Sequence, residues 1–203
     1  MVQKFGMKTL LTFFALLFSS LVFADDISDF EIEGMSIGDS LLDYLSKDEI
    51  LDQFKRTSNH YKYLNNTTKF GEAYIINGEN FETYKNLSFF VKRDDQKYKI
   101  FMIRGMLNYV EDLEGCLKKQ KEIANEIEKI LTQYEKIEKS AISKTDPSGK
   151  SKYYYIKYYW KNGDDLVVQC NDWDEEIRKK NNWTEGISVA ISTKEFNDWI
   201  SDY

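Results

Sequence analysis

Residues 152–172, KYYYIKYYWKNGDDLVVQCND, bear most directly on the fold class. Asn162 and Gly163 separate two runs in which apolar side chains alternate with others, and an Asn-Gly pair between such runs favours a β-hairpin. In the second run every other residue from Leu166 to Cys170 is apolar, so these side chains should face the core. The stretch therefore predicts antiparallel β-sheet.

Further strand-like segments lie on both sides of this hairpin. Residues 69–76 and 86–103 favour three strands, and residues 187–192 favour a last one. Strands that come in runs, rather than alternating singly with helices, indicate an α+β fold. We predict a single domain over residues 25–203, in which two runs of about three antiparallel strands pack on a long amphipathic helix, with short N-terminal helices and a C-terminal helix.

The long helix is predicted over residues 111–139, which contain no proline and one glycine. Cys116, Ile123, Ile130 and Ile137 recur every seven residues, and lysine, glutamate and glutamine fill the opposite face. This spacing is typical of a helix buried on one side. An intramolecular sheet is the expected acceptor, with a coiled-coil partner as the alternative.

Shorter signals predict the remaining elements. Residues 29–37 favour a first strand, and Asp39 or Ser40 opens a short helix that runs to residue 45. Capping boxes at residues 46–49 and 192–195 predict two further helix starts. The last helix carries apolar side chains at helical spacing: Phe196, Trp199, Ile200 and Tyr203.

Residues 1–24 have the pattern of a signal peptide. Lys4 and Lys8 precede an apolar run at 10–23, and small residues stand before a cut after Ala24. The run is shorter than the roughly 20 residues that span a bilayer, so a retained anchor is the weaker alternative. The pattern predicts a periplasmic or secreted protein with no stable membrane span after cleavage.

The net charge bears on the choice of partner. It is −6 for the whole chain, and loss of the two leader lysines takes it to −8. An acidic protein repels phosphate backbones, which argues against nucleic acid as a partner.

The chain has two cysteines, Cys116 and Cys170. In an oxidising compartment two thiols in one domain tend to pair. Cys116 lies on the apolar stripe of the predicted helix and Cys170 on the core face of its strand, so both should point inward. The sequence therefore predicts a Cys116–Cys170 disulfide; two buried thiols are the alternative.

The tetrapeptide Gly38-Asp39-Ser40-Leu41 resembles the signature of the GDSL esterases, in which the serine is the nucleophile. Such a serine needs a neighbouring base, and the family supplies an Asp-x-x-His pair near the C-terminus. The sole histidine here is His60, and the C-terminal region has none. We therefore predict that Ser40 caps a helix, and keep an esterase using Ser40 and His60 as the alternative.

Other motifs for chemistry are incomplete, and neither metal nor cofactor is predicted. The SGKS stretch at 148–151 lacks the earlier glycine of a phosphate-binding loop. The acidic cluster at 171–176 lacks the spaced ligands and the loop glycine of an EF-hand, so a solvated turn is the expectation. A hydrolase with a carboxylate pair stays an alternative, because 34 acidic residues always offer pairs.

The aromatic strand offers the candidate binding residues. Tyr153, Tyr155 and Tyr159 share one face with Lys157, and Trp173 follows the next strand. Such a row favours either stacking on sugar rings or contact with another protein, because rigid aromatic side chains give contact area at low entropic cost. A strand that is covered on both faces is the alternative.

Three stretches carry a family resemblance: DFEIEGMSIGDSLLDYLSKDEI at 29–50, VQCNDWDEE at 168–176 and STKEFNDWI at 192–200. They resemble small exported proteins of Pelagibacter-like marine bacteria, which implies an extracytoplasmic protein without an assigned activity. EGMSIGDSLLDYLS at 33–46 is also similar to the opening of SmpA/OmlA-like outer-membrane assembly lipoproteins, which contact partner proteins. No lipid-bearing cysteine follows the leader here.

These observations favour a non-enzymatic binding or interaction protein of the bacterial cell envelope. The expected partner is an envelope protein or a polysaccharide. The alternative is a GDSL-like esterase or carboxylate-dependent hydrolase that acts on envelope substrates.

Overall fold

The computed structural model describes residues 26–60, 63–65, 67–78, 81–84 and 86–203, without the His60 side chain. The predicted signal peptide and its cleavage site lie outside these residues. Among the helices of the described residues, none has both the length and the apolar character needed to cross a membrane.

The described residues form an α+β arrangement of seven strands and four α-helices. The strands are β1 (Phe70–Ile76), β2 (Asn86–Lys92), β3 (Ile100–Asn108), β4 (Glu135–Ile142), β5 (Lys152–Tyr159), β6 (Asp165–Asp172) and β7 (Gly186–Ser192). The helices are α1 (Lys47–His60), α2 (Leu113–Glu128), α3 (Glu175–Asn181) and α4 (Lys194–Ser201), with short 3-10 turns at Ile27–Asp29 and Leu41–Asp43.

All seven strands belong to one antiparallel sheet in the order β1-β2-β3-β7-β6-β5-β4. The prediction of two separate runs of about three strands is therefore wrong. The last strand, β7, lies between β3 and β6 and joins the two halves. It is buried along nearly its whole length, as expected for a central strand with neighbours on both edges.

The predicted long helix over residues 111–139 is also wrong, because α2 ends at Glu128 and residues 135–142 form β4 instead. The 16 residues of α2 span about 24 Å, which matches the roughly 26 Å of an eight-residue strand. A helix over the whole predicted range would project about 20 Å beyond the sheet, with no surface to cover its apolar stripe. The chain instead leaves the helix and adds an edge strand to β5.

The N-terminal segment, residues 26–46 of the described part of the chain, holds no regular strand. The predicted strand at 29–37 is reduced to one isolated bridge between Ile32 and Met35. The predicted helix after Ser40 is a single 3-10 turn with Ser40 as its N-cap. The capping box at 46–49 is confirmed, because Ser46 and Glu49 exchange side-chain to backbone hydrogen bonds.

Two apolar layers cover opposite faces of the sheet. The larger lies beneath α1, α2 and the N-terminal segment, and it includes the inward side chains of all the central strands. The smaller lies beneath α4, where Phe196 and Trp199 pack on Phe70, Phe90 and Met102. Because α4 is short, it covers only part of this face of the sheet. The part that α4 leaves uncovered carries the site described below.

The predicted Cys116–Cys170 disulfide is confirmed. Its Cα atoms are 6.1 Å apart, and the bond joins α2 to β6. Both residues are buried, in agreement with the inward direction expected from each pattern. The bond fixes α2 on the sheet beside β5, β6 and β7.

The second predicted capping box begins one residue too early. Thr193, rather than Ser192, is the N-cap of α4, and its hydroxyl accepts a hydrogen bond from the Phe196 N–H. Ser192 is the last residue of β7, where its hydroxyl donates to Asp165. The serine is therefore part of a buried network at the base of α4.

Candidate functional site

Strand β5 presents four side chains on the face of the sheet opposite α2. Tyr153, Tyr155, Lys157 and Tyr159 are all partly exposed, whereas Tyr158, on the α2 side, is fully buried. The alternation of the strand thus places the row of candidate binding residues at the surface. We call these four residues the tyrosine face.

Amide and hydroxyl side chains continue the tyrosine face across the sheet. Tyr155 lies opposite Gln169 of β6, and Gln169 lies opposite Ser188 of β7. Tyr153 lies opposite Asn171, whose side-chain oxygen accepts a hydrogen bond of 2.7 Å from Gln169. Gln169 and Asn171 are partly exposed and Ser188 is buried, so two amide groups flank the aromatic rings at the surface.

Two tryptophans border this surface at the end near Tyr153. The Trp173 ring lies edge-on to the Tyr153 ring, with centroids 5.4 Å apart, and 4.5 Å from the Trp183 ring. The Tyr153 hydroxyl is hydrogen-bonded to Ser143 at 2.7 Å. The structure thus brings Trp173, a candidate from the sequence, together with Trp183, which lies between α3 and β7.

An ion pair between the partly exposed Lys157 and the buried Asp165 supports the other end of the tyrosine face. Lys157 Nζ lies 2.5 Å from an Asp165 carboxylate oxygen and 4.5 Å from the centroid of the Tyr159 ring. Burial alone lowers the pKa of Lys157, but the Asp165 carboxylate and the Tyr159 hydroxyl together outweigh burial, so the pKa of Lys157 is raised. Asp165 also accepts hydrogen bonds from Ser192 and Asn197. This network holds the lysine against the sheet.

An arginine lies in the same cross-strand row as Lys157. Cross-strand pairing runs from Lys157 through Val167 and Ala190 to Arg104 of β3. The Arg104 Nε donates to the Ser88 hydroxyl at 3.2 Å. The arginine side chain is about one-third exposed, so a second cation shares this face with Lys157.

Arg104 is paired with a fully buried carboxyl group, Glu72. Arg104 Nη2 lies 3.4 Å from Glu72 Oε1, whereas Glu72 Oε2 is buried without a hydrogen-bond partner among the described residues. Burial raises the pKa of Glu72, and the opposing effects of the Arg104 charge and the Tyr74 hydroxyl are smaller. The carboxyl group is thus poorly solvated in its charged form.

The raised pKa of Glu72 predicts how the stability of the folded protein depends on pH. A carboxyl group whose pKa is higher in the folded than in the unfolded state favours folding in its protonated form. Stability should therefore fall as the pH rises from the ordinary glutamate range through the raised pKa of Glu72. In Glu72→Gln that part of the pH dependence should disappear, measured by urea unfolding over a pH series. The exposed variant Glu176→Gln should keep the native slope, and an unchanged slope in Glu72→Gln would contradict the interpretation.

The Ser40 hydroxyl group both donates and accepts a hydrogen bond within the fold. It donates a hydrogen bond of 2.7 Å to the Lys97 carbonyl oxygen and accepts one of 3.3 Å from the Leu42 N–H. The proton that a nucleophilic serine gives to a base is thus directed at a backbone carbonyl. The side chain of His60, the other residue of the esterase alternative, lies outside the described residues.

The remaining motifs serve as turns and caps. In the SGKS stretch the backbone N–H groups of Ser148 and Ser151 donate to the Asp146 carboxylate. Hydrogen bonds from the side chains of these two serines, and then from their N–H groups, lower the pKa of Asp146. In the acidic cluster Asp174 is the N-cap of α3, and Glu175 pairs with Lys179. The described residues contain no group of three or more His, Cys, Asp or Glu side chains arranged to hold a metal ion.

Three polar residues on this side of the sheet were not predicted from the sequence as part of the site. Glu72 has a recognisable pattern, because it interrupts the apolar positions Phe70 and Tyr74 on one face of β1. Gln169 and Arg104 have no such pattern, because single polar residues at alternate strand positions are ordinary on an exposed face. Their significance comes from the cross-strand register.

No protein-family model, curated protein or solved structure matches this chain.

Proposed function

We propose that this protein is an exported, non-enzymatic binding protein of the bacterial cell envelope, and that the tyrosine face and its tryptophan border bind a polysaccharide. The observation that carries the proposal is the partly exposed row of tyrosines next to amide side chains on a surface that α1 and α2 do not cover.

The chemistry of the surface suits a carbohydrate chain. Aromatic rings offer flat apolar faces to the C–H faces of sugar rings, and amide groups donate to and accept from hydroxyl groups. Tyr153 and Tyr155 are two residues apart on one strand, so their rings are offered at a spacing of about 7 Å along it. Successive sugars of one chain can therefore contact successive rings.

The charge of the protein bears on which class of polysaccharide is the expected ligand. The whole chain carries a net charge of −6, and two cations on this side of the sheet, Lys157 and Arg104, are paired with Asp165 and Glu72. A strongly anionic polymer would be repelled by the protein and would find these cations already neutralised. A neutral polysaccharide is the expected ligand.

Export is supported by the pattern of residues 1–24 and by the disulfide, which is stable in oxidising compartments. Release into the periplasm or the medium accords with the resemblance to small exported marine bacterial proteins. The esterase alternative is weakened by the hydrogen bonds that engage the Ser40 hydroxyl.

The proposal is tested by retention of the purified protein on insoluble neutral glucans, isolated peptidoglycan and an anionic polysaccharide. We expect retention on a neutral polymer that weakens about tenfold or more in Tyr155→Ala and in Trp173→Ala, because each change removes a stacking surface. Tyr44→Ala is the matched control, since Tyr44 is exposed in the N-terminal segment and should not alter retention.

Failure to bind any polysaccharide, together with capture of an envelope protein that is lost in Tyr155→Ala, would replace the carbohydrate with a protein ligand. Equal losses in Tyr155→Ala and Tyr44→Ala would show that retention does not involve the tyrosine face. Hydrolysis of p-nitrophenyl acetate that disappears in Ser40→Ala would overturn the non-enzymatic assignment.

A further inference from the structure

The two outer edges of the sheet differ in how far the rest of the chain covers them. The outer edge of β1 is covered by α1, because the Gln53 side-chain amide bonds both the N–H and the carbonyl of Tyr74. Thr57 donates to the Glu72 carbonyl, and Arg93 Nε donates to the Phe70 carbonyl. Side chains thus occupy the backbone groups to which another strand would bond.

The edge formed by β4 is open in the part of the chain that the structure describes. β5 is its single strand neighbour there, and seven of its eight residues are exposed. An exposed edge strand of this length is a template for pairing with another strand. Its sequence, EKIEKSAI, decides which strand fits it best.

We infer that two copies of this chain pair antiparallel through β4, with Ile137 of one copy opposite Ile137 of the other. In this register Glu135 lies opposite Lys139 of the second copy, and Lys136 lies opposite Glu138. A two-fold axis repeats both pairs, so the central isoleucines are flanked by four oppositely charged pairs. Opposite charges directly across an antiparallel ladder are stabilising.

Neighbouring registers that keep the same two-fold symmetry lack this match. A shift that centres the axis on Glu138 places two glutamates opposite each other and leaves Lys139 facing Ile137. Centring it on Lys139 or on Lys136 opposes two lysines. Like charges directly across the ladder are destabilising, so the alternating charges select the isoleucine-centred register.

The covered edge of β1 makes the association stop at two copies. A C2 pairing uses the same edge from both molecules, and neither outer edge of the combined sheet is then free.

Glu135, Ile137 and Lys139 lie on the same side of the sheet as the tyrosine face. The pairing therefore sets the two tyrosine faces side by side, about 14 Å apart from β5 to β5. The inference does not rest on what these faces bind.

Sedimentation equilibrium of the protein at low salt tests the pairing. We expect a monomer–dimer equilibrium whose dissociation constant rises about tenfold or more in Glu135→Lys and in Lys139→Glu, because each change creates two like-charge contacts. The double variant E135K/K139E restores opposite charges and should dimerise like the native chain. Lys121→Glu, an exposed charge change on α2, is the control and should leave the equilibrium unchanged.

A mixture of the two single variants gives the sharpest result. Glu135→Lys and Lys139→Glu each repel themselves, but together they place lysine opposite glutamate at both positions, so they should form a mixed dimer. A native chain that stays monomeric at every accessible concentration would overturn the inference. So would a dimer that survives both single changes.

Discussion

Replacing Cys116 and Cys170 together with alanine should lower the free energy of unfolding by about 4 kcal/mol. The two cysteines are 54 residues apart, and the loop that they close contains β4 and β5. Closure of so long a loop restricts the unfolded chain, and removal of the bond returns that entropy. Urea unfolding of the variant and the native chain measures the difference.

Reductant supplies the control for this prediction. It should destabilise the native chain to about the level of the alanine variant, while the variant itself should not respond. If reductant leaves the midpoint of the native chain unchanged, then the two thiols are not paired in the isolated protein.

Replacing Asp165 with alanine should destabilise the protein by about 3 kcal/mol, because it leaves one buried and two partly buried polar groups without their shared partner. The carboxylate, 1 % exposed, receives hydrogen bonds from Ser192 and Asn197 and an ion pair from Lys157. These partners belong to β7, α4 and β5. Thermal and urea unfolding should both register the loss.

Two further variants separate the charge from the hydrogen bonds of Asp165. Asp165→Asn keeps one acceptor, for the Ser192 hydroxyl, but loses the second acceptor and the counter-charge of Lys157, so the loss of stability should be smaller than that in Asp165→Ala. Asp198→Ala removes an exposed carboxylate from α4 and should change stability by no more than about 0.5 kcal/mol. Equal effects of Asp165→Ala and Asp198→Ala would mean that the buried network does not stabilise the docking of α4.

The local patterns in the sequence predicted those features that depend on one or two elements. The Asn162-Gly163 hairpin is confirmed by the pairing of β5 with β6. The disulfide is confirmed because each cysteine lay on an apolar stripe whose direction could be predicted from its own element. Periodicity specifies which side of a strand or helix is buried, and this was sufficient for both predictions.

The boundary between α2 and β4 could not be predicted in the same way. Ile130 and Ile137 continue the heptad spacing, but EKIEKSAI can form either a helix or an edge strand. The outcome depends on how much sheet is available to cover the helix, and the width of the sheet follows from the pairing of all the strands. Tyr134, which packs on Tyr158, turns the chain toward β5.

The candidate site illustrates the same difficulty over longer distances. The tyrosines and Trp173 were proposed from the sequence because they lie close together in it. Gln169 joins them across the β5–β6 hairpin, whereas Arg104 joins them only through the central position of β7, which no local pattern could indicate. Tertiary register assembles the polar part of this surface.

The position of β7 has a consequence for the order of events during synthesis. The strand that unites the two halves of the sheet follows the other six strands in the sequence. A ribosome-bound nascent chain therefore cannot join the two halves until β7 has left the ribosome, because the middle strand is still missing or lies inside the exit tunnel. Until then β3 and β6 each lack a neighbour on the edge that β7 later covers.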